Sequence, residues 1–368
     1  MTTVGVLGAG QLARMLALAA HRLGITVRAL DPSDHPCAAP VCPVTQASFT
    51  DLPAIDRFLD TLDALTFEFE SIPADTIRHA AERLPTHPNA ESLRLSQDRV
   101  LEKQVFSEVG FEIPRFAPVD SLEDLHTGAD HIGLPAILKS RTGGYDGRSQ
   151  ARIHNHDQLA DAWAAIGAVP AILEELVPFE REISLIGVRS TTGEIDFYPP
   201  VENLHINSTL YTSRAPAELS RAHELEAQHH ARTMLERLDH VGVLCIELFL
   251  TRNARLLANE FAPRVHNSGH WTIEGAHTSQ FENHIRAILG LPLGSTEAIA
   301  HSAMINIVGV EPPLAKLLAI ESARTHLYTK QPRRGRKLGH VTVTDNDPAH
   351  TNALLDRLTA IIPPPPGV

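Results

Sequence analysis

The stretch VGVLCIELFLTRNARLLANEF, Val241 to Phe261, reads as two apolar strands, Val241 to Leu250 and Ala254 to Phe261, about a short polar turn. Pairing across a four-residue loop, Arg252 to Arg255, puts Thr251 opposite Leu256, Phe249 opposite Ala258 and Glu247 opposite Glu260. Both carboxylates then share one face of the hairpin. Like charges directly opposed in an apolar hairpin are unfavourable and raise each other's pKa unless a cation sits between them. A few hard oxygen ligands suit Mg²⁺ carrying phosphates better than zinc. Two plainer readings stay open: one carboxylate is an exposed edge residue, or the register differs by one.

Working outward, the strand runs into Asn259 to Trp271, NEFAPRVHNSGHW, too dense in polar and aromatic groups for a mere connector. His266 is its better site candidate and His270 its better packing candidate. Upstream, the apolar run Ala136 to Leu138 ends in Lys139 and a loop, Ser140 to Gln150, with three glycines. A second run, Ala171 to Leu173, ends in Glu174 and Glu175. A helix over His156 to Ile166 between them makes about 115–178 a small α+β unit. A buried lysine needs an anion, and Gly143, Gly144 and Gly147 let backbone amides approach phosphate while Arg148 adds charge. The loop could close as a lid, and it lacks the Walker pattern. A solvated strand-end lysine is the alternative.

Residues 1 to about 95 alternate short apolar runs with amphipathic stretches, the βαβ signature of a parallel sheet. Gly8 to Ala13, between strand and helix, with Asp31 ending the next strand, suits phosphate binding, a dinucleotide, or only a tight turn. Ser96 is the expected N-cap of a helix through Val100 and Phe106 to Gly110 and marks a boundary. Helical periodicity covers Ala217 to Leu238. After Leu293 come strands at Ala303 to Val308 and Gly339 to Thr344, a helix to Ile362 and a proline tail. Lys330 to His340 is the one dense basic cluster, a solvated turn or a local phosphate site.

The chain has 368 residues and a formal charge of −12, with 43% hydrophobic and 21% charged residues. Disorder and membrane spanning are excluded by that balance, and the acidity argues against nucleic acid as a partner. Cys37, Cys42 and Cys245 offer neither a disulfide framework nor a zinc spacing, and no signal segment precedes Val4; a reducing cytoplasm is expected. Only five of the 32 basic residues are lysines, so each marks a place where a compact ammonium is retained.

The set GAGQLARM (8–15), SQDR (96–99), GYDGRSQ (144–150), NEFAPRVHNSGHWT (259–272) and GRKLGH (335–340) resembles the 5-(carboxyamino)imidazole ribonucleotide synthases, ATP-grasp carboxylases of purine synthesis, over nearly the whole chain. The resemblance implies a three-domain ATP-grasp fold, α/β and α+β: a Rossmann-like domain at 1–95, an ATP-grasp domain at 96–295 including the lid, and a C-terminal domain at 296–368 packed on the core. It implies that ATP phosphorylates bicarbonate to carboxyphosphate, whose carboxyl group passes to 5-aminoimidazole ribonucleotide. The cofactors are ATP and Mg²⁺, with Mn²⁺ as an alternative.

Carried over residue by residue, Arg99, Lys139 and the loop Gly144, Tyr145, Asp146, Gly147, Arg148, Ser149 and Gln150 contact the phosphates. Glu174, Glu175, Leu176 and Val177 hold adenine, and Glu182 the ribose. His205, Asn259 and Glu260 complete the nucleotide site, with Glu247 and Glu260 on the metal. Tyr145, Arg148, Arg264 and His266 surround bicarbonate and the imidazole, beside Asn267; Gln11, Glu70, Lys330, Arg336 and Lys337 receive the ribose and its phosphate. A homodimer is implied, with hand-off to a downstream mutase as a further expectation. Ala9, Ala13 and Arg334 depart from the family's habit without removing a charged or coordinating group. The rivals are another ATP-grasp ligase, which would share Lys139, Glu247 and Glu260 but not the acceptor set; an NAD-linked oxidoreductase using Gly8, Gly10 and Asp31; and a non-catalytic nucleotide-binding regulator.

Overall fold

The computed structural model describes residues 2–143 and 149–366 and contains three sheets. The first is built from β1 (Thr3–Leu7), α1 (Gln11–Arg22), β2 (Thr26–Asp31), β3 (Val44–Gln46), α2 (Leu52–Leu59), β4 (Ala64–Phe67) and α3 (Ala74–Ala81). Its strands are parallel in the order β3-β2-β1-β4, and β1 and β4 are almost wholly apolar because both of their faces are covered. Two short helices follow, α4 (Ala90–Ser96) and α5 (Arg99–Glu108). The expected cap at Ser96 is corrected here. Ser96 closes α4 with its hydroxyl on the Leu93 carbonyl, and Asp98 caps α5 by accepting from the Val100 and Leu101 amides. A carboxylate outcompetes the serine because it serves two orphan donors at once and favours the positive helix end.

The second sheet comprises β5 (Phe116–Val119), β6 (Ala136–Ser140), β7 (Gln150–Ile153) and β8 (Ala171–Glu175), antiparallel in the order β5-β8-β6-β7. Helices α6 (Leu122–Ile132) and α7 (Leu159–Ala165) cover one face through Leu125, Leu138, Leu159 and Leu173. Alternation along the strands sends Ile137, Lys139 and Glu174 to the other face, since Ile137 pairs with Glu174.

The third sheet has nine strands. They are β9 (Phe179–Arg189), β10 (Ile195–Phe197), β11 (Val201–Ile206), β12 (Thr209–Ala215), β13 (Gly242–Thr251), β14 (Leu256–Ala262), β15 (His301–Val308), β16 (Arg324–Leu327) and β17 (Lys337–Asp345). Eight run β14-β13-β9-β11-β12-β15-β17-β16, with β10 added beside β9. Helix α8 (Arg221–Arg237) packs Met234 and Leu235 on one face against Ile183, Leu185, Ile246 and Leu248. The opposite face meets α1 together with α9 (Thr272–Gly275) and α10 (Gln280–Ile288), in a cluster holding Leu16, Ile186, Cys245, Trp271 and Ile285. Helices α11 (Leu314–Leu318) and α12 (Pro348–Thr359) cover β15 and β17 through Leu317, Leu354 and Leu358. His284 of α10 ties the units together: its Nδ1 accepts from the Val243 amide at 3.1 Å, and its Nε2 lies 2.8 Å from the Thr66 hydroxyl of β4.

At the β16–β17 pairing, a Cβ on Gly339 would sit 2.5 Å from the carbonyl oxygen of His326, an atom fixed by the ladder. Gly339→Ala therefore destabilises the protein by about 1–3 kcal/mol, read as a lower midpoint in urea unfolding at unchanged slope.

Candidate functional site

The structure pairs Glu247 with Glu260, by a route other than the expected one. The turn is one residue longer, with the Thr251 amide donating to the Arg255 carbonyl, so that Leu250 faces Leu256, Phe249 faces Leu257 and Leu248 faces Ala258. The expected Thr251–Leu256 and Phe249–Ala258 pairs do not form. A bulge at Asn259 then adds one residue to β14 and restores Glu260 opposite Glu247.

Strand β14 is the sheet edge, so its bulged backbone needs partners from elsewhere. Consecutive residues of α5 provide them. The buried Lys103 ammonium donates to the Asn259 carbonyl at 2.5 Å, and the Glu102 carboxylate accepts from the Phe261 amide at 2.6 Å. The two grip the chain on either side of Glu260. Burial and the Glu260 charge push the Glu247 carboxyl up to about 7, against the lowering pull of His205. Glu247 also lies on the same face as Ser184, its partner in β9, and Ser184 begins a hydrogen-bonded row. Asn203 donates to Ser184 and accepts from Ser213, each at 2.7 Å. His205 Nδ1 lies 2.7 Å from the Glu182 carboxylate, and the charges of Glu182, Glu247 and Glu260 raise its pKa although burial opposes this.

On the lid sheet, Lys139 contacts the Glu174 carboxylate, and Lys103 approaches its other oxygen at 3.1 Å. Burial alone would raise Glu174; the two ammoniums override it and hold the carboxyl at about 2. The Glu174 side chain is thus committed to lysines, while Glu175, Leu176 and Val177 line a cavity of about 590 Å³ with Leu257. Arg99 donates to the Ser140 and Gly143 carbonyls at 3.1 and 2.9 Å, where the glycine loop begins. Gly144, Tyr145, Asp146, Gly147 and Arg148 lie outside the described residues; Ser149 and Gln150 resume at the start of β7.

A second cavity, of about 210 Å³, is lined by Gln11, Glu68, Arg264, His266, Asn267 and Lys337 among others. Arg264 pairs with Glu70 at 2.6 Å, and Lys330 reaches Gln11. Arg336 is half-buried, with its guanidinium on the Gln331 carbonyl at 3.3 Å. His266 stands 3.5 Å from Glu247 and is held by Ser268 at 2.8 Å, while Gln280 brackets its backbone from both sides. Burial and the Arg264 and Lys337 charges push its pKa far down, so the ring is neutral. His270 is buried, its ring tilted 44° against that of Phe281 with centroids 5.6 Å apart.

The start of α1 does not stand ready for an external phosphate. The Glu68 carboxylate accepts from the Gly10 amide and, at 2.9 Å, from the Ala13 amide. A Cβ at Gly10 would lie 2.6 Å from that carboxylate, which explains the glycine. Asp31 is equally committed, accepting from the Ala9 and Ser33 amides at 2.9 and 2.8 Å, which leaves no ribose ligand for the dinucleotide reading. Sequence reasoning missed Glu68, Glu102 and Lys103. The signal was present in the rarity of lysine, because a chain that avoids lysine placed one of its five in the middle of an apolar helix face.

Two outcomes follow from the buried charges. Lys103→Met leaves the β14 edge unclamped and Glu174 with one cation, and costs about 3–5 kcal/mol in chemical unfolding. Glu174 has a folded-state pKa below its unfolded value of 4.5, so its contribution is complete above pH 4.5 and is lost as pH falls toward 2. The thermal midpoint of Glu174→Gln accordingly falls less than that of the parent across this window.

Three family descriptions match the chain: the ribonucleotide synthetase preATP-grasp domain at residues 1–97, the ATP-grasp domain at 104–281 and the phosphoribosylaminoimidazole carboxylase C-terminal domain at 302–354. An N5-carboxyaminoimidazole ribonucleotide synthase of Pseudomonas aeruginosa is 46% identical over 361 residues, covering 98% of this chain and 99% of the relative. The Bacillus subtilis protein of that name is 37% identical, covering 92% and 90%. The crystal structure of the Thermus thermophilus synthetase superposes with a TM-score of 0.95 at 46% identity, covering 99% and 100%. That of the Aspergillus clavatus enzyme in complex with ADP and 5-aminoimidazole ribonucleotide gives 0.90 at 32%, covering 98% and 99%. The parallel amino-terminal sheet, the lid and the carboxylate-bearing sheet are thus those of an ATP-grasp enzyme, and this chain belongs to the N5-carboxyaminoimidazole ribonucleotide synthase family.

Proposed function

We propose that this ATP-dependent carbon–nitrogen ligase of purine biosynthesis carries out its reaction across the contact between His266 and Glu247. That contact is the observation on which the reading rests, because it joins the cavity of Gln11, Arg264, Asn267 and Lys337 to the face that carries the carboxylate pair. ATP occupies the space between the lid and the large sheet. Lys139, Arg99 and the 144–150 loop receive its phosphates, Glu174 to Val177 flank the adenine, and Glu182, His205 and Asn259 take the sugar and the adjoining phosphate. Bicarbonate attacks the γ-phosphorus, ADP departs, and the amine of 5-aminoimidazole ribonucleotide takes the carboxyl group as phosphate leaves.

The chain's own contribution is positioning and charge neutralisation. Arg264, with Arg148 and Tyr145, surrounds the bicarbonate carbon, and the neutral His266 is able to accept the amine proton. Gln11, Glu70, Asn267, Lys330, Arg336 and Lys337 hold the ribonucleotide. Closure of the loop excludes water from a hydrolysable acyl phosphate.

Glu247 and Glu260 fit a divalent cation, because burial of Glu247 and the charge of the exposed Glu260 opposite raise the Glu247 carboxyl, and a cation between the two would relieve both effects. Among the described residues no group of three or more His, Cys, Asp or Glu gathers to hold a metal ion, so Glu247 and Glu260 would hold it together with ligands from outside the chain. Mg²⁺, or Mn²⁺, supplies neutralisation of phosphoryl charge when bound. On the resemblance alone we extend the reading to a cytoplasmic homodimer that hands its product to a mutase, with units at 1–95, 96–295 and 296–368. No helix among the described residues is long and apolar enough to cross a membrane.

The test is ADP release measured with and without bicarbonate and 5-aminoimidazole ribonucleotide. Release that needs both is expected; release indifferent to the ribonucleotide points to another ATP-grasp ligase. Glu260→Ala lowers turnover by about 10²-fold or more at an unchanged thermal midpoint, and activity retained at ordinary magnesium concentrations defeats the metal assignment.

A further inference from the structure

Beneath the basic segment lies a train of buried polar rings that the reaction itself does not use. Tyr328 and His340 are almost fully buried, and the Tyr328 hydroxyl is 2.6 Å from His340 Nδ1. His340 stacks on His326 with centroids 4.5 Å apart and planes 8° from parallel. His326 Nε2 in turn lies 2.7 Å from the Glu274 carboxylate at the end of α9. Burial raises the phenol and lowers the His340 imidazole, so both are neutral and one hydrogen bond joins them. The Nε2 of His340 is buried with no described partner, a cost an apolar residue at 340 would avoid.

What the train holds at its far end is Lys330. Its ammonium sits 5.7 Å from the Tyr328 ring centroid, within cation–π range, and reaches Gln11 across the gap to the amino-terminal unit. The connecting residue, Thr329, has φ of +54°, a left-handed conformation that a β-branched residue rarely adopts, and its hydroxyl is tied to the Tyr328 carbonyl at 2.7 Å. Strain of this kind persists only where surrounding structure imposes it. Here it bends the chain so that Lys330 leaves β16's direction and lies over Tyr328.

We propose that Tyr328, locked by His340 and the His326–Glu274 pair, is a positioning residue that aims Lys330 at Gln11 and so sets the enzyme's affinity for the phosphorylated sugar of the acceptor. The inference rests on the placement of Lys330 in the acceptor site proposed above. Tyr328→Phe removes the bond to His340 and keeps the ring. In steady-state kinetics it raises KM for 5-aminoimidazole ribonucleotide about five- to tenfold, while KM for ATP and kcat stay within about twofold. Lys330→Ala raises the same KM at least as much, and adding Tyr328→Phe to Lys330→Ala has no further effect, because the phenol acts through the lysine.

Thr329→Gly, which relaxes the bend without removing packing, moves the ribonucleotide KM in the same direction and keeps the question open to test should Tyr328→Phe fold poorly. An unchanged KM in Lys330→Ala overturns the placement of Lys330. A raised KM in Lys330→Ala with no effect of Tyr328→Phe or Thr329→Gly, or with equal rises for ATP and ribonucleotide, overturns the positioning role and leaves the acceptor site standing.

Discussion

Everything at the centre of the molecule depends on holding two carboxylates face to face on a sheet edge. Glu247 and Glu260 repel one another, and an edge strand left to itself would relieve the strain by slipping or peeling. The bulge at Asn259 fixes the register at that point. Lys103 and Glu102 then take up the carbonyl and the amide that the bulge and the edge leave without sheet partners. A lysine and a glutamate are both needed because the backbone presents an acceptor on one side of Glu260 and a donor on the other. The same lysine binds Glu174 of the lid sheet, so one buried ammonium couples the geometry of the carboxylate pair to the root of the lid.

From that pair a polar row crosses the large sheet on one face, through Ser184, Asn203 and Ser213. The opposite face is apolar and packed on α8. A sheet of this kind reads as alternating only if both faces are known to be occupied by different things. This is why β9 to β12 went unmarked in the sequence. Their inward polar residues interrupt the apolar alternation along the row of Ser184, Asn203 and Ser213, and tertiary hydrogen bonding supplies what local hydrophobicity does not.

The hairpin itself was legible because its apolar runs are long and its turn is polar. The facing of Glu247 and Glu260 was reached through a register wrong by one residue at the turn and compensated by a bulge that leaves no mark in hydropathy. The parallel amino-terminal sheet was legible from its βαβ alternation, whereas the role of its glycine turn was not. Nothing local to Gly8 or Gly10 reveals that Glu68, more than fifty residues on, supplies the anion for that helix. Asp98 was overlooked for Ser96 because both are good caps and only the loop joining α4 to α5 decides between them. Gln11, Arg264, His266, Asn267 and Lys337 were named through resemblance, and their place on one cavity is a property of three separated segments that no window of sequence contains.

A common electrostatic logic joins these details. In a chain with a net charge of −12, cations of the proposed ligand sites already have carboxylate partners: Lys139 has Glu174, and Arg264 has Glu70. Such internal anions keep the basic groups ordered and desolvated before any phosphate arrives, so that binding exchanges one anion for another in place of collapsing loose side chains onto a ligand. They also set a threshold. An uncharged molecule cannot compete with a carboxylate already in place, whereas an anion with several oxygens per site can. At the proposed sites, selectivity for anionic ligands would thus come from the competition the protein's own glutamates provide as much as from the arginines and lysines beside them.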